Sequence, residues 1–540
     1  MTESLDSSRA APLGFAARVA RVFRPSHQHS AFSATLLLMT TVLLSRVVGY
    51  VREVYIAWAF GAGKITDAYN AGFTIPDWLN YLVAGGTASI TFVSIYTRFL
   101  AEKKEEDAQK TFSVIITVMT VVLGIGVVIA EIFTPQLTRF WFGGSASHPG
   151  FTQDQLDLCN HLTRILLPAQ LFFYAGGVVS AVLLARRMFL LPALGPLIYN
   201  ASIILGGVFF ARSLGISSLA YGAVLGSFVG IFLISAVGAA RAGTGYRVSF
   251  NVRNPAFREW VRLSIPLMLG FSLVTVDDWF LRYFASGSAG DISRLNYAKR
   301  LFQVPIALLG QAAGQASFPF FARLFSEKRM RDFAETVNSS VSRLVALSLL
   351  AASFMMSAAL PLIDLAYRRG HFHFSDSRET AAYFFWFSLS LAFWSAQALY
   401  ARAYYASGNT LIPMIASTVI TAASFPIYGA LYHSFSITGL VIASDVGITA
   451  NCLAVALLLH RAKLVSIAEL HWRELGKAAL TAAIAGWLSY RVASMLPGGT
   501  RWDDVRGLGL AVATWGGATA AGLWLTRSQL LQGLRRRRVA

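Results

Sequence analysis

Residues 111–133 read TFSVIITVMTVVLGIGVVIAEIF. The stretch is apolar from end to end, with a single acid, Glu131. About 20 such residues cross the roughly 30 Å hydrocarbon layer of a bilayer as a helix. The apolar residues do not alternate with period two, so the stretch is not a barrel strand. Similar stretches recur in both directions, at about 34–56, 68–97, 161–184, 190–211, 218–240, 263–284, 295–322, 337–362, 379–404, 410–432, 437–460, 475–495 and 504–526. The pattern predicts an all-α membrane protein with about 14 transmembrane helices.

Composition agrees. The 540 residues are 55% hydrophobic and 14% charged, where a soluble domain carries about 25% charged residues. The net charge of +19 is dispersed in short clusters between apolar stretches. That is how orientation signals look, and it argues against nucleic acid as a partner. Clusters such as Arg98/Lys103/Lys104/Lys110, Arg186/Arg187, Arg241 to Arg262 and Arg323 to Arg331 fall on alternate loops. Their side holds nearly three times as many Lys and Arg as the other. The positive-inside rule places that side and both termini in the cytoplasm. An even number of spans fits this answer. Residues 1–33 read as a cytoplasmic N-terminal tail, and 527–540 as a basic cytoplasmic C-terminal tail.

Several chemistries find no support. Cys159 and Cys452 are the only cysteines, too few for a disulfide framework or a zinc spacing. His371 and His373 alternate in an external turn but have no third ligand nearby in sequence, so no metal is expected. There is no Walker sequence, serine elbow or HExxH helix, so neither an enzyme nor a cofactor is expected. The longest external loop, 134–160, is too short to fold as a domain.

Two halves of the chain echo each other at a spacing of about 220–230 residues. Phe73 to Pro76 is matched by Phe302 to Pro305, Ala88-Ser89 by Ala316-Ser317, and Ala185 to Pro192 by Ala406 to Pro413. Spans one to six would then correspond to spans seven to twelve. Six is even, so the repeat is parallel, and such repeats enclose a cavity between two lobes. The expected organisation is an N-lobe at 34–241, a basic cytoplasmic linker at 242–262, a C-lobe at 263–460, and two extra helices within 475–526. Gly222, Gly226 and Gly230 form a small-residue ridge suited to close helix packing.

Charged residues inside spans are costly, roughly 2.5–3.5 kcal/mol each, and normally face a bundle interior or an aqueous cavity. Span one carries Arg46, Arg52 and Glu53, span two opens on Asp67, span seven has Asp277 and Asp278, and span eight has Lys299 and Arg300. Arg46 and Glu53 lie two turns apart on one helix face, and Arg52 points about 120° away from Arg46. A cavity holding Arg46, Arg52, Lys299 and Arg300 would be cationic. The arginine fork donates in parallel to two oxygens, which suits a phosphate or diphosphate.

Several stretches together resemble the MurJ/MviN family, the lipid II flippases of the multidrug/oligosaccharidyl-lipid/polysaccharide exporter superfamily. They are Ser45 to Glu53, Phe60 to Gly63 with Thr66 to Tyr69, Asn296 to Leu301 with Pro305, Leu362 to Phe372, and Ala403 to Ala406 with Asn409, Thr410 and Pro413. The resemblance implies a flippase that moves an undecaprenyl-diphosphate-linked peptidoglycan precursor from the inner to the outer leaflet of the bacterial cytoplasmic membrane. By position, Arg46, Arg52 and Asp67 match family cavity residues of spans one and two, and Arg300 matches the cavity arginine of span eight. Lys299 joins them as a candidate ligand, with Glu53, Asp277 and Asp278 as candidate supporting or coupling groups. The expected partners are the lipid-linked diphosphate glycan, membrane lipids and, as a further candidate, the cell-wall synthesis machinery. The chain departs from the family pattern at Tyr81 and Gly85, where an arginine and an acid are usual, and at Lys299, where an acid is usual. Those departures leave open a flippase for another lipid-linked oligosaccharide. A drug or cation antiporter of the same superfamily fits less well, because it would put acids where these arginines stand.

Overall fold

The computed structural model describes residues 31–84, 86–144, 149–269, 273–495 and 500–530. Most of both expected tails, and Gly85, lie outside the described residues. Among the described residues there is no strand. The helices are α1 (Ala31–Phe60), α2 (Lys64–Gly72), α3 (Thr74–Ala84), α4 (Gly86–Ala101), α5 (Glu105–Phe142), α6 (Gln153–Leu166), α7 (Ala169–Ala185) and α8 (Leu190–Leu214). Next come α9 (Ser217–Gly226) and α10 (Ile234–Arg241), joined by a π-helical turn at Ser227–Leu233. The chain continues with α11 (Pro255–Leu269), α12 (Leu273–Ala285) and α13 (Asp291–Pro305), then a second π turn at Ile306–Gln311 leading into α14 (Ala312–Ser326). The last elements are α15 (Met330–Ser357), α16 (Ala359–Tyr367), α17 (Phe374–Leu389), α18 (Leu391–Ala406), α19 (Leu411–Arg461), α20 (Trp472–Ala493) and α21 (Arg501–Leu525).

Among the described residues, seven helical stretches are long and apolar enough to cross a membrane, the quoted stretch 111–133 lying inside one of them. The fold is therefore a multi-pass helical membrane protein. Only helices satisfy every backbone group within a single crossing segment. Apolar side chains such as Ile132, Phe209 and Val419 are exposed along these helices, as lipid-facing positions should be.

By internal contacts the chain forms two compact units. The first comprises Met1–Arg52, Ile75–Phe133 and Thr163–Leu269, and the second Glu53–Thr74, Thr134–Leu162 and Gly270–Ala540. In the first unit the glycine ridge of α9 lies directly on α8. A Cβ on Gly222 would come within 2.6 Å of the Ser202 carbonyl oxygen, and one on Gly226 within 2.9 Å of Tyr199 Cα. Only the missing side chains permit that approach. In the second unit a core of Phe321, Phe333, Tyr400, Tyr404, Val455 and Leu459 joins α14, α15, α18 and α19. The last two helices dock on α15 through Leu350, Ala482 and Leu523. Trp515 Nε1 adds a hydrogen bond to Ser353 Oγ at 3.0 Å.

The helix α19 is two helices in series, broken at Ser436, where φ is 54° and ψ is −139°. The break falls between the apolar stretches predicted at 410–432 and 437–460. Gly215, after α8, has nearly the same backbone, φ 55° and ψ −140°. This pairing is general. Among the described residues, every positive-φ position except one has a counterpart 220 to 229 residues away. The pairs are Gly61 with Gly290, Lys103 with Lys328, Gly144 with Gly370, Arg187 with Gly408, Gly215 with Ser436, and Gly243 with Lys463. The exception, Arg527, follows α21.

Candidate functional site

Several of the candidate charged residues of the second unit lie on or against α13, and the start of that helix is fixed by Asp67. A helix leaves its first four N–H groups without internal partners, and its N-terminus favours negative charge. The Asp67 carboxylate of α2, fully buried, accepts from the N–H of Gly290. It also accepts the Ser293 N–H at 2.8 Å and the Ser293 hydroxyl at 2.6 Å. Gly290 itself has φ 90°, a conformation that suits glycine. So α2 anchors the helix that carries Asn296, Lys299 and Arg300.

Lys299 points into protein. Its ammonium donates to both Asp277 and Asp278 of α12. Asp277 is buried and also accepts the hydroxyls of Tyr428 and Ser444 from α19. A buried charge is tolerable only when paired and hydrogen-bonded, and this cluster meets both conditions. The cation of Lys299 is thus matched within the unit. A cavity of about 20 Å³ lies beside it, lined in part by Asp278, Arg282 and Asn296.

Arg300 is one residue on and about 100° round the helix. Its side chain is 37% exposed. Its Nε is buried without a hydrogen-bond partner, and the nearest carboxylate oxygen, Glu53 Oε1, lies 3.8 Å away. Glu53 is buried and accepts from Asn296 Nδ2 at 3.3 Å. The guanidinium therefore retains donor capacity for an anionic ligand.

In the first unit, Arg52 donates from Nη1 to Asn200 Oδ1 at 2.9 Å. Asn200 is held in turn by donating to the Pro196 carbonyl at 2.9 Å. Arg46 is exposed on α1, and Tyr81 is half-buried on α3. The structure thus brings Glu53, Asp67, Asp277, Asp278, Lys299 and Arg300 together in the second unit, while Arg46 and Arg52 belong to the first.

Three of the quoted motifs meet in one clasp in the second unit. His371 N–H donates to the Trp58 carbonyl at 3.0 Å. The Tyr297 hydroxyl donates to the Gly61 carbonyl at 3.1 Å, and the Tyr367 hydroxyl to the Tyr297 carbonyl at 3.2 Å. A Cβ on Gly61 would lie 2.5 Å from the His371 carbonyl oxygen, and one on Gly370 would lie 2.2 Å from that of Trp58. His371 thus serves as a strut of this clasp.

A family model described as lipid II flippase MurJ matches residues 56–500. The chain belongs to the lipid II flippase MurJ family. The MurJ match takes in Asp67, the Lys299 cluster and Arg300, and begins just after Arg46, Arg52 and Glu53. Among curated relatives, the probable lipid II flippase MurJ of Thermotoga maritima is 25% identical over 422 residues, covering 78% of this chain and 84% of that protein. The lipid II flippase MurJ of Burkholderia cenocepacia is 27% identical over 348 residues, covering 63% of this chain and 66% of that one. A solved structure of lipid II flippase MurJ in an inward closed conformation shares the fold with a TM-score of 0.73 at 19% identity, covering 90% of this chain and 99% of that one. An inward-facing multidrug resistance MATE family transporter shares it with a TM-score of 0.61 at 14% identity, covering 79% and 98%.

Sequence reasoning singled out these charged residues but not the polar residues packed around them. Asn200, Tyr428, Ser444 and the buried Asp445 are polar residues on otherwise apolar helices. That isolation was the available signal.

Proposed function

We propose that this chain moves lipid II, an undecaprenyl-diphosphate-linked peptidoglycan precursor, from the inner to the outer leaflet of the bacterial inner membrane by alternating access. The observation that carries the reading is Arg300, in a chain of the lipid II flippase MurJ family: a side chain 37% exposed whose guanidinium makes no hydrogen bond from Nε and is steadied by Glu53 at 3.8 Å. Arg300 binds the diphosphate with donors that match phosphate oxygens, and the sequence pattern nominates Arg46 and Arg52 for the same chemistry. Lys299, with Asp277 and Asp278, holds α12, α13 and α19 in register. Asp67 positions the helix bearing Arg300, and Glu53 keeps its guanidinium oriented.

All fourteen predicted spans fall on helix among the described residues, which supports that count. The paired positive-φ positions support two six-helix lobes, at 34–241 and 263–460, with α20 and α21 outside the repeat. The cluster charges support cytoplasmic termini. With the inside negative, carrying two negative charges outward gains roughly 4–5 kcal/mol per 100 mV, at about 2.3 per charge. The membrane potential is then a sufficient driving force without ATP. On the outer side the product is handed to the cell-wall synthesis machinery.

The test is complementation of a strain depleted of its own lipid II flippase. Restored growth with precursor reaching the outer leaflet supports the reading. Correct insertion without restoration sinks it. The departures at Tyr81 and Lys299 favour keeping one second reading, a flippase for another lipid-linked oligosaccharide. The same strain separates the two, because that flippase would leave lipid II on the inner leaflet.

A further inference from the structure

A second cluster of cations in the first unit lies apart from the residues assigned to lipid II. A cavity of about 640 Å³ opens where α7 and α10 end, lined by Arg186, Arg187 and Arg241 together with Leu100, Leu191 and Glu105. Arg186 caps α7 with a side chain only 16% exposed. Its Nε and Nη2 are buried with no hydrogen-bond partner. Its acidic neighbour Glu105 is 61% exposed, and the two approach no closer than 3.8 Å. A cation at a helix C-terminus complements the helix dipole, but an exposed arginine does that without burying unpaired donors. Buried donors without acceptors are costly, and charged ones more so. A ligand offering several oxygens would relieve that cost.

We propose that this cavity binds a phosphate group, that of an anionic phospholipid headgroup, with Arg186 as the buried anchor and Arg187 and Arg241 closing on its outer oxygens. The surroundings suit an amphiphile. Leu100 and Leu191 give the cavity an apolar wall. On the opposite face of α10 a second cavity, of about 500 Å³, is lined mainly by apolar groups that include Phe112, Val179 and Ala239. Basic pockets between membrane helices bind anionic headgroups by the same chemistry. The corresponding turn of the second half carries Ser407 and Gly408 where Arg186 and Arg187 stand, so the buried anchor has no arginine counterpart there.

Native mass spectrometry of the full chain in detergent tests this, titrating phosphatidylglycerol with phosphatidylcholine as the zwitterionic control. A second arm follows thermal stability with inorganic phosphate in place of lipid. The expected result is selective retention of one phosphatidylglycerol, weakened about tenfold or more by Arg186→Ala. Arg241→Ala, at an exposed helix end where folding is not at stake, weakens it less. Stabilisation by inorganic phosphate that depends on Arg186, without lipid selectivity, would keep the phosphate site and move its ligand to solution. Phosphatidylglycerol retention unchanged in both variants, with no phosphate effect dependent on Arg186, overturns the proposal. No lipid II is present in either arm, so neither outcome bears on the flippase reading.

Discussion

Lys299 and Arg300 are neighbours in sequence with opposite circumstances. Lys299 sits between two aspartates, whereas the buried Nε of Arg300 makes no hydrogen bond and lies 3.8 Å from Glu53. Their substitutions should therefore fail in different assays. Lys299→Ala leaves Asp277 and Asp278 without their cation, and removing one partner of a buried pair costs about 3–5 kcal/mol. Thermal unfolding should fall accordingly, with much of the loss recovered when Lys299→Met is combined with Asp277→Asn and Asp278→Asn. If the single variant unfolds like the parent protein, the cluster has no structural role. Arg300→Ala should lower the unfolding midpoint less than Lys299→Ala, because its contact to the buried Glu53 is a longer one at 3.8 Å, and should slow precursor translocation about tenfold or more, the worth of a lost charge-assisted bond. Arg300→Lys should recover only part, since an ammonium cannot donate as a fork.

The charges themselves were legible at this scale, because a lysine or arginine within an apolar stretch stands out by its insertion cost. What pairs with them was not. Asp67 contacts residues more than 220 positions away, and Asp277 meets Tyr428 and Ser444 at separations of 151 and 167. No local spacing encodes such partners.

Among the elements, helix placement was readable because the apolar stretches match the bilayer in length. The breaks were less so. The π turns at Ser227–Leu233 and Ile306–Gln311 leave no mark in hydropathy, although Pro305 immediately precedes the second. Ser436 is the element-scale anomaly, a serine in a backbone conformation where its counterpart is Gly215. Such strain at a non-glycine residue costs on the order of 1–3 kcal/mol. Ser436→Gly should therefore raise the unfolding midpoint, and a lower midpoint would show that the strain is absent. Gly61→Ala and Gly370→Ala should do the reverse, since each Cβ meets a carbonyl oxygen at 2.5 Å or less. Loss of folded protein from membranes is the expected readout.

For the molecule as a whole, family membership and the arginines point to a lipid carrying two negative charges. Outward transfer should then depend on the membrane potential. Collapsing the potential with valinomycin and potassium, at constant pH, should slow the appearance of precursor in the outer leaflet. A rate indifferent to the potential would mean that the transferred complex is electrically neutral, with the arginine charges moving alongside the diphosphate.

The most direct measurement is made in cells depleted of their own lipid II flippase and expressing this chain. Lipid II exposed on the outer leaflet is counted with a membrane-impermeant probe. The expected result is restored exposure with the wild-type chain and little with Arg300→Ala at equal membrane abundance. Exposure that stays at the depleted level with the wild-type chain, or returns fully with Arg300→Ala, would contradict the assignment.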